Sequence, residues 1–121
     1  MDKGDNYILL SKTNWKYNDE GKIIEKLFSE YEYKKVNKTK KTLTSTKKDV
    51  YEYKIKDVMP DYYYYENDVL RMKTIYSNED SYVTTFYFDG GFVVDSVYEN
   101  ATHTKDIFYS NGNIIRQKVY E

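Results

Sequence analysis

The chain has no cysteine, one proline, one histidine and only two arginines, Arg71 and Arg116. Without cysteine there is no disulfide, no thiolate zinc site and no thiol nucleophile. The lone histidine, His103, lies in the polar stretch Asn100-Ala101-Thr102-His103-Thr104, which reads as an exposed link between strands. No Ser–His–acid arrangement can be assembled around it, so the expectation is a protein that is not an enzyme. No cofactor and no metal are expected, since the acid pairs Glu66/Asp68, Glu79-Asp80 and Asp2/Asp5 lack the alternating oxygen ligands of a calcium loop and read as turn chemistry. No run reaches the ~18 apolar residues of a membrane-spanning helix, and no apolar leader follows Met1. A formal net charge of −1 speaks against a general electrostatic grip on nucleic acid.

What the sequence has in quantity is tyrosine, 16 of 121 residues, within an aromatic content of 18%. The length suits one domain over residues 1–121, with 1–6 as a polar tether. Charged residues make up 32%, yet aromatics at regular spacing are the opposite of a disordered composition.

Turn signals recur at Asp19-Glu20-Gly21, Asn67-Asp68, Asp89-Gly90-Gly91 and Asn111-Gly112. From Asp68 to Gly90 to Gly112 the interval is 22 residues, and the 47 from Gly21 to Asp68 leaves room for one degenerate unit with its turn near Asn37–Lys41. Aromatics stand four positions before each anchor (Tyr17, Tyr64, Phe86, Phe108), and Tyr76, Tyr98 and Tyr120 stand eight after the last three. Asn-Gly and Asp-Gly accept positive φ at both central positions of a tight hairpin. Two-residue loops pair Tyr109 with Ile114 and Phe108 with Ile115, Tyr87 with Phe92 and Phe86 with Val93, and Tyr65 with Leu70.

The expected fold is therefore all-β: an antiparallel meander of about five ~22-residue hairpin repeats, its sheet twisted and curved, as a half-barrel or a single layer. Strands are expected at 7–12, 14–18, 22–36, 42–46, 49–57, 62–66, 69–77, 81–88, 92–99, 104–110 and 113–120. The stretch Lys22–Val36 also carries Ile23, Ile24, Leu27, Phe28 and Tyr31 at helical spacing and is the one candidate helix.

These registers divide the apolar residues into two faces. One carries Tyr62, Tyr64, Phe86 and Phe108, the candidate binding surface; the other carries Leu70, Met72, Phe92, Val94 and Ile114, the candidate lining of an apolar ligand cavity. Tyrosine offers a rigid apolar body with a polar tip, which suits the run Tyr62–Tyr65 to a protein or carbohydrate partner. Seven lysines between Lys34 and Lys48 read as a solvated strand edge that discourages edge-to-edge pairing.

Tyr17-Asn18-Asp19-Glu20-Gly21-Lys22-Ile23-Ile24 resembles the YD repeat of Rhs-type bacterial proteins, with Asn18 where the pattern has Asp. Phe108-Tyr109-Ser110-Asn111-Gly112-Asn113-Ile114-Ile115 is similar to the MORN-variant repeat, in which aromatics precede Asn-Gly and an aliphatic follows. Both families are tandem β-hairpins, and the resemblance implies bacterial surface, shell-forming or interaction roles, or an antitoxin-like association. The resulting expectation is a non-enzymatic binding module, in the cell envelope or secreted if a leader is removed and cytoplasmic otherwise. A carrier of an apolar ligand such as a lipid, and an immunity-like protein, are its alternatives.

Overall fold

Strand formers dominate the chain, and the computed structural model, which describes residues 7–34, 37–54 and 58–121, is built of strands. They are β1 (Tyr7–Tyr17), β2 (Ile23–Lys34), β3 (Asn37–Glu52), β4 (Asp61–Glu66), β5 (Val69–Tyr76), β6 (Tyr82–Tyr87), β7 (Phe92–Glu99), β8 (Thr102–Ser110) and β9 (Asn113–Val119). β6, Tyr-Val-Thr-Thr-Phe-Tyr, consists entirely of β-branched and aromatic residues, the types that suit a pleated surface. The sheet follows chain order from β1 to β9 as an open antiparallel meander, not closed into a barrel.

The stretch with helical spacing is strand β2, held along its length by β1 from Tyr7 opposite Lys34 to Lys16 opposite Glu25. β1 runs unbroken through Thr13, where two strands were expected. β3 is likewise continuous, and Asn37–Lys41, the expected degenerate turn, is strand: a Lys/Thr run without glycine has no residue to turn on. The link from β2 to β3 falls at residues 35–36 and the end of the expected strand 49–57 at residues 55–57, both outside the described residues. β3 lies between β2 and β4 in the strand order, so the lysine-rich segment is not an edge.

The 22-residue phase holds for the turns at 67–68, 89–91 and 111–112, which join β4 to β5, β6 to β7 and β8 to β9. The turn at 19–21 stands outside it. Three strands separate it from the turn at 67–68, and whole hairpins require an even number.

By internal contact the chain forms two compact units, Met1–Asp49 with Tyr65–Val69, and Val50–Tyr64 with Leu70–Glu121. In the first, Asn67 closes the β4–β5 turn onto β3: its backbone N–H donates to Thr46 O and its side-chain oxygen accepts from Thr46 N, each at 2.9 Å. Lys16 pairs with Glu25 at 3.2 Å, and Lys26 lies over the Trp15 ring at 5.0 Å.

In the second unit the ladders arrange side chains as rows across the strands. Met72, Phe86, Val94, Phe108 and Arg116 are successive partners, and so are Thr74, Thr84, Ser96, Asp106 and Lys118 two positions along. Both rows share a face, because side chains two apart on a strand point the same way. The opposite face carries the rows Ile75, Val83, Val97, Lys105, Val119 and Lys73, Thr85, Asp95, Ile107, Gln117.

Among the described residues no hydrophobic side chain is buried, whereas Ser29, Asp61, Thr85 and Asp106 are. This inverts the usual order of burial. Ser29, Thr85 and Asp106 lie in mid-strand, and Asp61 opens β4. The rings themselves are half-buried and keep an outer surface in solvent.

Candidate binding face

The polar row is fixed by pairs across the strands, each ten residues apart in sequence. Thr74 and Thr84 hydroxyls meet at 2.9 Å; Ser96 Oγ donates to Asp106 Oδ1 at 2.7 Å. On the opposite face Thr85 Oγ1 donates to Asp95 Oδ1 at 2.6 Å. Each satisfies a polar group at a half-buried or buried position, where an unmade hydrogen bond is costly.

Beside this row runs a row of rings. Tyr76 packs on Tyr82 with centroids 5.0 Å apart, Tyr82 on Tyr98 at 4.6 Å, Tyr98 on His103 at 4.7 Å and His103 on Tyr120 at 4.3 Å. The 22-residue period supplies Tyr76, Tyr98 and Tyr120, one from every second strand. His103 enters because β8 has a bulge: Val97 faces Lys105 and Tyr98 faces His103, leaving Thr104 as the extra residue. The sequence reading of an exposed loop histidine is thereby corrected. His103 lies on β8, two-thirds covered, with Nε2 2.7 Å from Asp106 Oδ1.

Asp106 is the hub of this cluster. Burial alone pushes its carboxyl up, but hydrogen bonds from Tyr120 Oη at 2.5 Å, from Ser96 and from His103 outweigh it and hold the carboxyl below the ordinary value. The same bond, followed by partial desolvation, pushes the Tyr120 phenol up. A serine, an acid and a histidine thus meet, in the wrong order for nucleophilic catalysis. The Ser96 hydroxyl donates to the acid and not to the histidine, so the contact that activates a nucleophile is missing from this cluster.

A cleft of about 290 Å³ opens at the other end of the ring row, lined by Tyr51, Met59, Pro60, Tyr62, Thr74 and Tyr76. Tyr51 and Tyr62 pack with centroids 5.4 Å apart. Next to the cleft Asp61 is 3% exposed, its Oδ1 accepting the Tyr76 N–H at 2.9 Å and its Oδ2 paired with Lys54 Nζ. The bond to Asp61 raises the Lys54 pKa. Burial raises that of Tyr76.

Of the sequence-derived candidates, Phe86 and Phe108 occupy one row with Met72 and Val94, residues assigned from sequence to the other face. The cause is register in three successive pairings, in which Met72 faces Phe86, Phe86 faces Val94 and Val94 faces Phe108. Asp89–Gly91 forms a three-residue 3₁₀ turn closed by Phe88 N–H to Phe92 O at 2.9 Å, so Tyr87 faces Val93 and Phe86 faces Val94. Phe92 shares the face of Val94 and is 49% exposed. Leu70 shares the face of Met72, two positions before it on β5. Ile114 pairs with Tyr109, which faces Val93, and so lies on the opposite face. Ile115 is a bulge, and Phe108 faces Arg116, whose guanidinium lies over its ring at 5.4 Å. Tyr62 lines the cleft; Tyr64 is half-buried, two positions along β4.

Compared with known proteins, the chain matches no family model, no curated protein and no solved structure.

Proposed function

We propose that the chain is a non-enzymatic binding module that takes a protein partner on the face bearing Phe86, Phe108 and the tyrosine row. The observation that carries this reading is the absence of any fully buried hydrophobic side chain among the described residues. Apolar rows lie half-exposed on a sheet whose best-covered side chains are polar, and an accessible apolar surface of this kind marks an interaction site. Rigid tyrosine and phenylalanine rings favour association, since ordering them costs little entropy. The cleft beside Tyr62 and Tyr76 adds a depression into which a side chain of the partner fits. The likeness of the hairpin motifs to YD and MORN-variant repeats, both linked to interaction roles, supports the same reading.

The test is capture of a partner by the immobilised wild-type chain and by a Phe86→Ala/Phe108→Ala variant, with melting temperatures measured alongside. The expected result is a partner held by the wild type and released by a variant that melts within about 10 °C of it. Equal capture by both chains refutes the reading, and a larger loss of melting temperature assigns these rings to the packing of the fold.

A further inference from the structure

The outer edge of β9 carries a second signal, independent of the ring-bearing face. β9 ends the strand order, and no described residue pairs with its outer side. It is exposed along its whole length, with Ile114, Ile115 and Val119 at 56%, 59% and 66%. The Tyr120 N–H donates inward to Thr104 O at 2.9 Å. Counting back by twos, Lys118 and Arg116 also turn their backbone groups toward β8, which leaves the N–H and C=O of Gln117 and Val119 directed outward.

The charge of this edge is of one sign. β9 contains Arg116 and Lys118 and no carboxylate. Both cations project on the ring-bearing face, over Phe108 at 5.4 Å and over Tyr120 at 5.0 Å. Neither makes an ion pair among the described residues, and the one carboxylate opposite them, Asp106 facing Lys118, is engaged by Tyr120, Ser96 and His103. A second copy laid antiparallel on β9 would set these cations against each other, and like charges directly opposite are destabilising. β1, the other end of the strand order, carries Lys12 and Lys16 as its only charges, Lys16 being paired with Glu25, so it offers these cations no carboxylate of its own.

We propose that the β9 edge docks an extended acidic segment of a partner protein, added as a further strand through Gln117 and Val119 with carboxylates two residues apart facing Arg116 and Lys118. Main-chain bonds supply the affinity and the two charge pairs the selectivity. The same cations that turn away copies of this chain select the acidic strand.

The test uses the full chain at low salt, titrated by amide NMR with the capped peptide Thr-Val-Glu-Val-Glu-Val-Thr and its lysine counterpart. The acidic peptide should bind about tenfold tighter. Shifts should centre on Arg116 to Val119, and binding should weaken with added salt. Arg116→Glu/Lys118→Glu should reverse the preference. Gln117→Pro, which removes an outward N–H, should abolish binding while the β-sheet circular dichroism is kept. Phe86→Ala, on β6 and away from β9, should leave peptide binding intact, which separates this edge from the ring-bearing face. Equal binding of both peptides, or no binding of the acidic one, overturns the proposal. Self-association of the charge-reversed variant, with no acidic peptide bound by the wild type, reduces the cations to guards of the edge and overturns it too.

Discussion

Nε2 of His103 and Oδ1 of Asp106 lie 2.7 Å apart, although the two residues are three positions apart on one strand. Strict alternation would send them to opposite faces. The extra residue Thr104 restores them to one side, its own hydroxyl donating to Val97 O at 3.2 Å. A one-residue irregularity thus links the ring row to the polar row at Asp106. It also gives the region around β8 a buried carboxylate with three donors.

Asp106→Asn should be the most destabilising of the conservative changes in this cluster. The amide leaves at least one of the donors Tyr120, Ser96 and His103 without an acceptor, at a cost of about 1–3 kcal/mol. Ser96→Ala removes one donor only and should cost about 1 kcal/mol. His103→Phe keeps a ring between Tyr98 and Tyr120 and should cost less than His103→Ala. Urea unfolding of the four variants checks the order.

The same cluster contributes to the pH dependence of stability at both ends. The Asp106 carboxyl is held below its ordinary value in the folded state, so its contribution is present above about pH 4 and is lost as pH falls through the folded value. Tyr120 is pushed up, first by its bond to Asp106, so its contribution is present below about pH 10 and is lost as pH rises through the folded value. Tyr63, Tyr76 and Tyr109 are also raised, each mainly by desolvation, and add to the alkaline limb. Melting temperature against pH should form a plateau falling at both ends. Asp106→Asn should flatten the acid limb, and Tyr120→Phe should weaken the alkaline one.

Gly91 reaches across to the next hairpin turn. Its φ of 80° is left-handed, its carbonyl accepts the Asn111 N–H at 3.0 Å, and a Cβ added there would run into the Asn111 side-chain oxygen. Gly91→Ala should cost about 1–2 kcal/mol from backbone strain, and more if the Asn111 side chain cannot swing away. Adding Asn111→Gly to Gly91→Ala should recover the steric part alone. A double-mutant cycle by chemical denaturation measures it.

The turns and the strand class were legible because they depend on residue type. Asn67-Asp68 and Asn111-Gly112 take positive φ at both positions, as their composition implies, and Tyr109 faces Ile114 as read. The bulges were not legible. Thr104 and Ile115 are ordinary strand residues, and nothing in their type marks them as unpaired. At Asp89-Gly90-Gly91 two glycines allow either a two- or a three-residue loop, and the three-residue one moved Val94 into the row of Phe86. The division of apolar residues between faces rested on that choice and on the β5–β6 and β7–β8 links, where Met72 faces Phe86 and Val94 faces Phe108, so these four residues were separated in the sequence and adjoin in the fold. The hub at Asp106 left only an indirect trace, the 22-residue recurrence of Tyr76, Tyr98 and Tyr120 around it.

Two tight turns of the same kind differ in a single residue. Asn111-Gly112 and Asn100-Ala101 both have positive φ at their two positions, with Ala101 at 62° where the other turn has glycine at 84°. An L-residue in the left-handed region costs roughly 1–2 kcal/mol, partly offset by the lower entropy of its unfolded chain. Ala101→Gly should therefore stabilise the protein by about 1 kcal/mol, while the Ala101 N–H bond to Asp80 O, 2.7 Å long, is kept because glycine retains the donor. Gly112→Ala, with open space around the added Cβ, should destabilise by a similar amount through φ alone. Guanidinium denaturation of the two variants and of the double exchange should show opposite signs that nearly cancel. If Ala101→Gly proves destabilising, the turn is held by packing on its methyl group and not limited by its backbone.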